Sequence, residues 1–356
     1  MINTSPLGSH TTFADYARFL MQRHIIPRFS RGTLEVHLIF DNPGQLKNTP
    51  KSFEHRRRDE TATITAGHAC EEFNENAKLP AKWRENVLNC RKCKRTLVCF
   101  LAQFMLKHIN SHLSSHQKFY VAGAFAEHIS NTTWFVQGNT SPQPDPKYAC
   151  NAEETDTRLW LHARQTQCEQ LLVLSPDTDV YFIGLPLQCA RDKEIILQIS
   201  DMNSREVKLL HLGRLIMALM NDPDLANVAP ATLPKVLQTL YVVSGCDYIS
   251  FFSGIGKATF LRYFFQHAQF VTGTLPYTQG SLSDTSLDDY VYMQGFLALL
   301  WLIGTIYFKK HATGTHLSHT TRALPPLNQH WQHSNTEHGW RTFNNTFGTA
   351  SLLKLK

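Results

Sequence analysis

Six acidic residues lie at the ends of predicted strands or helices, where carboxylates from separate elements can meet. They are Asp41, Glu154, Asp156, Asp177, Asp179 and Asp247. Asp41 ends the run Leu34-Glu-Val-His-Leu-Ile-Phe-Asp41, and Asp177 and Asp179 follow Leu171-Leu-Val-Leu174. In a parallel α/β sheet, sites form just beyond the carboxyl ends of the strands. We therefore expect the acids that end apolar runs to converge on one edge of a sheet.

Clustered carboxylates repel one another unless a cation neutralises them. Hard divalent ions such as Mg²⁺ or Mn²⁺ prefer oxygen ligands, and two such ions can activate water and stabilise the leaving oxygen in phosphodiester hydrolysis. A single Asp after a strand is more simply explained as a helix cap or a turn residue. The six acids taken together favour a metal-binding carboxylate core.

A glycine hairpin follows the last of these acids. Gly254-Ile-Gly256 lies between two predicted helical segments, and Lys257 begins the second of them. Glycines let a backbone approach a phosphate closely, and a helix amino terminus attracts anions. An ordinary helical hairpin is the alternative. Because the hairpin comes soon after Gly245-Cys-Asp247, we prefer an interpretation in which it binds the backbone of a nucleic acid without reading bases.

These motifs resemble those of the flap-endonuclease/XPG-type nucleases, a superfamily with a PIN-like core. Gly245-Cys-Asp-Tyr248 followed by Gly254-Ile-Gly-Lys-Ala258 is similar to the helix–hairpin–helix segment of that family. Ser175-Pro-Asp-Thr-Asp179 is similar to its paired aspartates after a central strand. Glu154-Thr-Asp156 resembles its two acids one residue apart, with Asp in place of the more usual second Glu.

The resemblance extends in the family's order from about residue 13 to 268. The stretch from Asp41 through Lys47 to Arg56-Arg-Arg58 looks like the strand-ending Asp that leads into the family's basic helical arch. Within the superfamily, the chain is most similar to transposon-associated proteins of many animals. Those proteins share the run Glu153-Glu-Thr-Asp-Thr-Arg158 and a late stretch like Leu324-Pro-Pro-Leu-Asn-Gln-His330.

The resemblance implies a fold, a function and a set of site residues. The fold is α/β, a PIN-like central parallel sheet with helices on both faces, plus a helix–hairpin–helix and a helical C-terminal extension. The function is a structure-specific nuclease that requires Mg²⁺ or Mn²⁺ and acts on DNA in preference to RNA. The six acids would be the catalytic and metal-binding residues. The implied nucleic-acid contacts are Lys47, Arg57, Arg58, Gly254, Gly256 and Lys257.

The chain departs from the family near its start. Family nucleases have a first strand with a catalytic Asp ahead of the helix that we predict at Phe13–Arg28, whereas Asp15 lies within that helix. Two interpretations remain: an incomplete copy whose first strand is encoded upstream, or an inactive descendant that only binds nucleic acid or protein. Loss of one ligand from a two-ion site would lower the rate by orders of magnitude.

The amino-acid composition is typical of a protein with a packed core, and its positive net charge is compatible with a polyanionic partner. Hydrophobic residues make up 42% of the 356 residues, charged residues 18%, and the formal net charge is +6. The eight scattered cysteines favour a reducing, intracellular location, and we prefer the nucleus to the cytoplasm. Cys90-Arg-Lys-Cys93 is a single close pair, so a solvated basic helix is preferred to a zinc site.

The expected organisation is a core with one insertion and an appended carboxyl-terminal part. Its parts are 1–44, the amino-terminal part of the PIN-like core; 45–117, a basic arch-like insertion; 118–245, the rest of the core; 246–310, the helix–hairpin–helix and following helices; and 311–356, an irregular tail. Tyr290–Phe308 is long enough to cross a membrane. Gln294 and the flanking Asp288-Asp289 instead favour a buried helix, and no membrane association is expected.

Hydrophobic spacing predicts the elements that position these residues. The predicted helices are Phe13–Arg28, Trp83–Leu113, Glu153–Ala163, Leu209–Met220 and Pro234–Ser244. The predicted strands are Leu34–Asp41, Lys118–Ala126 and Leu171–Leu174. Asp179–Leu185 either continues the last strand or begins a helix. Strands that alternate with helices favour a parallel sheet covered on both faces.

Overall fold

The computed structural model describes residues 5, 7–41, 73–125, 131–152, 154–175, 177–189, 193–200, 207–225, 233–245, 256–259 and 261–262. The chain divides into two compact units, Met1–Cys168 and Glu169–Lys356. Each unit has helices and one small sheet that contains both parallel and antiparallel pairs. The predicted α/β class is therefore confirmed. A PIN-like central parallel sheet is not confirmed, because the described strands form two separate sheets.

Unit 1 builds a four-stranded sheet in the order β1-β2-β3-β4. β1 and β2 are parallel, whereas β3 is antiparallel to both of its neighbours. Its elements are α1 (Phe13–Leu20), a π-type turn (Met21–Ile25), α2 (Ile26–Ser30), β1 (Glu35–Ile39), a second π-type turn (Arg84–Leu88), α3 (Arg91–His108), a 3₁₀ turn (Asn110–His112), β2 (Lys118–Ala122), β3 (Thr133–Gln137), β4 (Gln143–Asp145), a 3₁₀ turn (Pro146–Tyr148) and α4 (Thr155–Gln165).

The start of α1 explains the acid at position 15. The Asp15 N–H donates to Thr12 Oγ1 at 3.1 Å, and the Thr12 N–H donates to Asp15 Oδ2 at 3.1 Å. This reciprocal capping box satisfies two backbone donors that a helix amino terminus otherwise leaves unpaired. Asp15 thus has a structural role in the helix, as its predicted position indicates.

The core of unit 1 lies between its helices and the sheet. Tyr16 and Leu20 of α1 are fully buried, as are Leu97 and Leu101 of α3 and Phe119 of β2. Burial of each such aliphatic or aromatic side chain stabilises the folded state by about 1.5–3 kcal/mol relative to leaving it exposed. α3 falls within residues 45–117, for which the sequence indicates a basic arch-like insertion, and one side of it packs into this core.

Unit 2 builds a three-stranded sheet in the order β5-β6-β7. β5 and β6 are parallel and are joined through α5, whereas β7 is antiparallel to β6. Its elements are β5 (Gln170–Leu174), α5 (Thr178–Cys189), β6 (Glu194–Ser200), β7 (Val207–His211), α6 (Leu212–Met220), a 3₁₀ turn (Pro223–Leu225) and α7 (Leu233–Val243).

The two faces of this sheet differ in burial. Val173, Ile195 and Leu197 are buried on one face, whereas Leu174 and Leu209 on the other are 51% and 64% exposed. Leu174 and Leu209 each pair with Gln198 of β6, one from either side, so they share a face. The described residues therefore leave an apolar face of this sheet in contact with solvent.

The carboxyl-terminal part of the Leu209–Met220 prediction is confirmed, and its first three residues are corrected. Leu209 belongs to β7, where its backbone pairs with Gln198. α6 begins at Leu212, after His211 Nδ1 accepts a hydrogen bond from the Arg214 N–H at 3.3 Å. Periodicity alone misplaced this boundary because consecutive leucines fit a strand and a helix equally well.

Candidate functional site

The structure distributes the predicted site residues over both units. Asp41, Glu154 and Asp156 belong to unit 1, whereas Asp177, Asp179, Gly256 and Lys257 belong to unit 2. Within the described residues, no three His, Cys, Asp or Glu side chains are grouped so that they could hold a metal ion. Convergence of the six acids remains a prediction. The residues that lie outside the described ones are Lys47, Arg57, Arg58, Asp247 and Gly254.

Asp41 is brought to the amino terminus of α4, the helix that Glu154 and Asp156 open. Asp41 Oδ1 accepts hydrogen bonds from the Thr155 backbone N–H at 2.9 Å and from the Thr155 hydroxyl at 2.5 Å. The acceptor that caps this helix therefore comes from the end of β1. A carboxylate is stabilised there because the helix dipole places partial positive charge at its amino terminus.

Two substitutions at Asp41 separate its capping role from its charge. Asp41→Asn keeps an oxygen acceptor for Thr155 and loses only the interaction of the charge with the helix dipole, about 0.3 kcal/mol at this exposed site. Asp41→Ala removes the acceptor and should cost about 1 kcal/mol. Urea unfolding of the two variants and the wild type measures the difference. Equal stability of the Ala and Asn variants would contradict the capping role.

A partly buried polar network that the sequence interpretation missed links β1 to α4. His37 Nδ1 lies 2.8 Å from His162 Nδ1, and His37 Nε2 lies 3.2 Å from Glu35 Oε2. The Thr166 hydroxyl donates to the same Glu35 oxygen at 2.6 Å. Glu35 and His37 are two residues apart in a strand, so they share one face. That alternation of polar residues within an apolar run is a signal that could have identified them.

The surroundings of this network shift two pKa values. Burial, together with the nearby charges of His37 and Arg158, lowers the pKa of His162 to about 3. Burial also acts to raise the pKa of Glu35, but the hydrogen bonds from His37 and Thr166 outweigh it and lower that pKa to about 2. The folded protein therefore keeps His162 neutral and Glu35 ionised throughout the physiological range.

These two pKa values predict that stability falls on acidification. In the unfolded chain, His162 binds a proton as the pH falls below its ordinary pKa of 6.5. In the folded chain, His162 stays neutral until the pH falls to about 3, its folded-state pKa. Glu35 also lowers stability on acidification, but at lower pH, between its ordinary pKa of 4.5 and its folded-state pKa of about 2. From pH 7 to 5, His162 should contribute a loss of up to about 2 kcal/mol.

A matched pair of histidine variants tests this expectation. His162→Gln should reduce the loss of urea stability between pH 7 and 5, because the titrating group is gone. His116 is exposed, so His116→Gln should retain the wild-type pH dependence. If both variants lose stability with the wild-type slope, His162 is not the group responsible.

Asp177 lies in the turn that joins β5 to α5, and Asp179 lies in the first turn of α5. Ser175 Oγ accepts from the Asp177 N–H at 3.1 Å, and Asp177 Oδ1 accepts from the Asp179 N–H at 3.0 Å. The Tyr181 hydroxyl donates to the Ser175 carbonyl at 2.8 Å. These local hydrogen bonds fix the turn just beyond the carboxyl end of a parallel strand, as predicted. Asp179–Leu185, left open in the sequence, is helical.

Asp179 contacts two residues from later in the chain. The Tyr241 hydroxyl donates to Asp179 Oδ1, and the Tyr241 ring stacks on Phe182 with the ring centroids 3.9 Å apart. Lys257 Nζ lies 3.7 Å from Asp179 Oδ1 and 3.6 Å from the Tyr241 ring centroid. A predicted phosphate contact and a predicted metal ligand are therefore neighbours. Nothing in the residue pattern predicts that Tyr241 contacts both of them.

Gly256 precedes Lys257 and has space around its α-carbon. None of the described residues places a heavy atom within 4 Å of the position that a Cβ would occupy there. The Thr259 N–H donates to the Gly256 carbonyl at 3.0 Å, and residues 257–259 are helical. The open position leaves room for a ligand to approach the backbone.

The Cys90–Cys93 pair begins α3 and does not have the form of a zinc site. Cys90 is a free thiol whose Sγ accepts from the Cys93 N–H at 3.4 Å. Cys93 is disulfide-bonded, so its sulfur is not a thiolate that could bind zinc. The sequence interpretation did not anticipate the disulfide.

Unit 2 brings together two acidic oxygen donors, and the described residues add no third His, Cys, Asp or Glu to form a group that could hold a metal ion. Asp177 and Asp179 supply carboxylate oxygens, the ligands that Mg²⁺ and Mn²⁺ prefer. A cation already lies beside one of them, because the Lys257 ammonium forms an ion pair with Asp179. The position next to Asp179 is therefore one at which the folded chain accepts positive charge.

Comparisons with known proteins found no match, whether with family models, with curated proteins or with solved structures. In the part of the chain that the structure describes, none of the helices combines the length and apolar character needed to cross a bilayer. Tyr290–Phe308 lies outside that part.

Proposed function

We propose that the chain is a PIN-like, divalent-metal-dependent nuclease of flap-endonuclease type that acts on DNA, with a transposon origin and a nuclear location. One observation carries the proposal. Asp177, in the turn after a parallel strand, accepts a hydrogen bond from the N–H of Asp179 in the first turn of α5, and the Lys257 ammonium lies against Asp179. Oxygen ligands beside a group that can bind phosphate are what phosphodiester hydrolysis requires.

Each residue then has a role that its surroundings allow. A bound Mg²⁺ or Mn²⁺ would supply the activated water and the charge stabilisation of the reaction. Asp177 and Asp179 would hold the ion, and the hydrogen bond from Tyr241 fixes the orientation of the Asp179 carboxylate. Gly256 and Lys257 bind the backbone phosphate. Asp41, held at the amino terminus of α4, presents a second acidic group together with Glu154 and Asp156.

The test is cleavage of flap and single-stranded DNA in Mg²⁺ or Mn²⁺. Asp177→Asn/Asp179→Asn keeps oxygen acceptors for the Asp179 N–H and for Tyr241 but removes two charges. It should lower cleavage at least about a thousandfold, because loss of the ion costs several kcal/mol in the transition state. Glu85 is exposed in unit 1 and pairs with Lys82, so Glu85→Gln is the matched control. Cleavage unaffected by the double substitution would disprove the assignment.

A second candidate is a binding module without catalysis. It is favoured by the observation that Asp41 and Asp179 both accept hydrogen bonds from protein donors. The grouping of three acids required for an ion is also not seen among the described residues. DNA binding that persists while no divalent metal supports cleavage would select this candidate over the nuclease.

A further inference from the structure

The start of α3 places a thiol beside a disulfide. Cys90 caps the helix, and its sulfur accepts a hydrogen bond from the Cys93 N–H at 3.4 Å. Cys93 is disulfide-bonded. The described cysteines that are thiols instead are Cys90, Cys99, Cys150 and Cys168, so none of these is bonded to it. The Cys90 thiol therefore lies against the very residue that carries the disulfide.

The two sulfurs differ in their access to solvent. Cys93 is only 2% exposed, so a thiol from solution cannot approach its sulfur directly. Cys90 is half-buried and contacts both the solvent and Cys93. Because the rate of attack on a disulfide depends on access to the sulfur that is attacked, a neighbouring thiol within the chain has the advantage over one in solution.

The spacing of the two cysteines suits a bond between them. Side chains at positions i and i+3 of a helix lie on one face, with their Cβ atoms about 5–6 Å apart, whereas a disulfide needs about 3.5–4.5 Å. Cys90 precedes the helical residues and has an extended backbone, with φ of −89° and ψ of 110°. It can therefore move by the roughly 1–2 Å required while α3 stays intact.

We propose that Cys90 and Cys93 form a thiol–disulfide exchange site, in which Cys90 attacks the Cys93 sulfur and takes over its disulfide. The Cys90 thiol gives its proton to water, and the electron pair of the thiolate forms the new bond to Cys93 Sγ. The existing bond of Cys93 breaks, and its electron pair leaves with the sulfur of the other cysteine, which takes up a proton. One disulfide is present before and after, so the exchange consumes no oxidant or reductant.

The exchange gives a small thiol in solution access to a buried disulfide. Once the bond includes the half-buried Cys90 sulfur, two molecules of such a thiol can reduce it, and they leave as one disulfide while Cys90 and Cys93 become thiols. The basic run Arg91-Lys-Cys-Lys-Arg95 favours an anionic thiol such as glutathione. Disulfides in reducing compartments are usually transient, and either catalytic or redox-sensing, which agrees with the nuclear location proposed above.

A redox titration of the full chain tests the exchange. The chain is equilibrated in mixtures of reduced and oxidised glutathione, quenched with acid, alkylated with N-ethylmaleimide and digested with trypsin. Cleavage after Arg91 and Lys92 places the two cysteines on separate peptides, Glu85–Arg91 and Cys93–Lys94, so mass spectrometry detects a disulfide between them. We expect these linked peptides at intermediate glutathione ratios, between the original disulfide of Cys93 and the fully reduced chain.

The rate of reduction measures what the Cys90 thiol contributes. Serine is a preferred helix cap, so Cys90→Ser should retain α3. Reduction of the Cys93 disulfide by excess glutathione should be at least about tenfold slower in Cys90→Ser than in the wild type, because an attack within the chain is replaced by approach from solution. Cys99 is a thiol in the same helix, and burial raises its pKa. Cys99→Ser is therefore the matched control and should leave the rate unchanged.

The linked peptides, together with slow reduction of Cys90→Ser and unchanged reduction of Cys99→Ser, support the exchange site. Absence of the linked peptides at every glutathione ratio would overturn it, and so would a Cys90→Ser variant that is reduced as fast as the wild type. An equal loss of rate in Cys99→Ser would also overturn it, because the effect would then not be specific to Cys90. These measurements involve neither DNA nor a metal ion, so their outcome leaves the proposed nuclease function to its own test.

Discussion

Gly123→Ala is expected to destabilise unit 1 by more than about 3 kcal/mol, a large fraction of the roughly 5–15 kcal/mol that stabilises a typical folded domain. Gly123 follows β2 with φ of 82°, a left-handed conformation that costs other residues roughly 1–2 kcal/mol. A Cβ at this position would lie 2.0 Å from the carbonyl oxygen of Phe40. The backbone would have to move, and the hydrogen bond from the Phe40 N–H to the Ala122 carbonyl at 2.9 Å would be strained.

A second glycine supplies the matched control for this substitution. Gly32 has a similar φ of 86°, but no atom of the part of the chain that the structure describes lies within 4 Å of its Cβ position. Gly32→Ala should therefore cost only the conformational penalty, roughly 1–2 kcal/mol. Urea unfolding followed by tryptophan fluorescence compares the two variants. Similar losses at both positions would show that the contact with Phe40 is not a constraint.

Arg158→Met is expected to cost about 3 kcal/mol of stability. Arg158 is fully buried in α4, and its Nε and Nη2 donate to the carbonyls of Ala152 and Cys150 at 2.6 and 2.8 Å. Methionine fills part of the volume but leaves both carbonyls without these donors, and each lost partner costs about 1–3 kcal/mol. These bonds hold the chain that leads into the acidic helix start.

Two further variants define what Arg158 contributes. Arg158→Lys keeps the charge but lacks the planar fork that reaches two carbonyls together, so it should still lose most of the stability. Arg164 is exposed in the same helix, and Arg164→Met should change the urea midpoint little. If Arg164→Met costs as much as Arg158→Met, burial and the two hydrogen bonds do not explain the effect.

Local pattern predicted the elements that present the candidate site. The alternation in Leu34–Asp41 predicted β1, and the short apolar run Leu171–Leu174 predicted β5 with Asp177 and Asp179 beyond it. These features depend on neighbours in the sequence, which is why periodicity and turn residues identify them. The expectation of a single parallel sheet was not confirmed, because pairing between strands depends on contacts that a local pattern does not encode.

The partners of individual side chains could not be predicted for the same reason. Thr155 as the residue held by Asp41, His162 beside His37, and Tyr241 between Asp179 and Lys257 all depend on residues far apart in the chain. Spacing can assign a residue to a face or to the end of an element. It does not determine which distant residue meets it there.

The exposed leucines of the three-stranded sheet have a consequence for the protein in concentrated solution. Leu174 and Leu209 present an apolar face that the described residues do not cover, and such faces attract one another in water. The native chain should therefore self-associate as its concentration rises, while its units remain folded. The concentration that the protein reaches in solution is then limited by association of folded molecules rather than by unfolding. Mild detergent or arginine should raise that concentration without altering the fold.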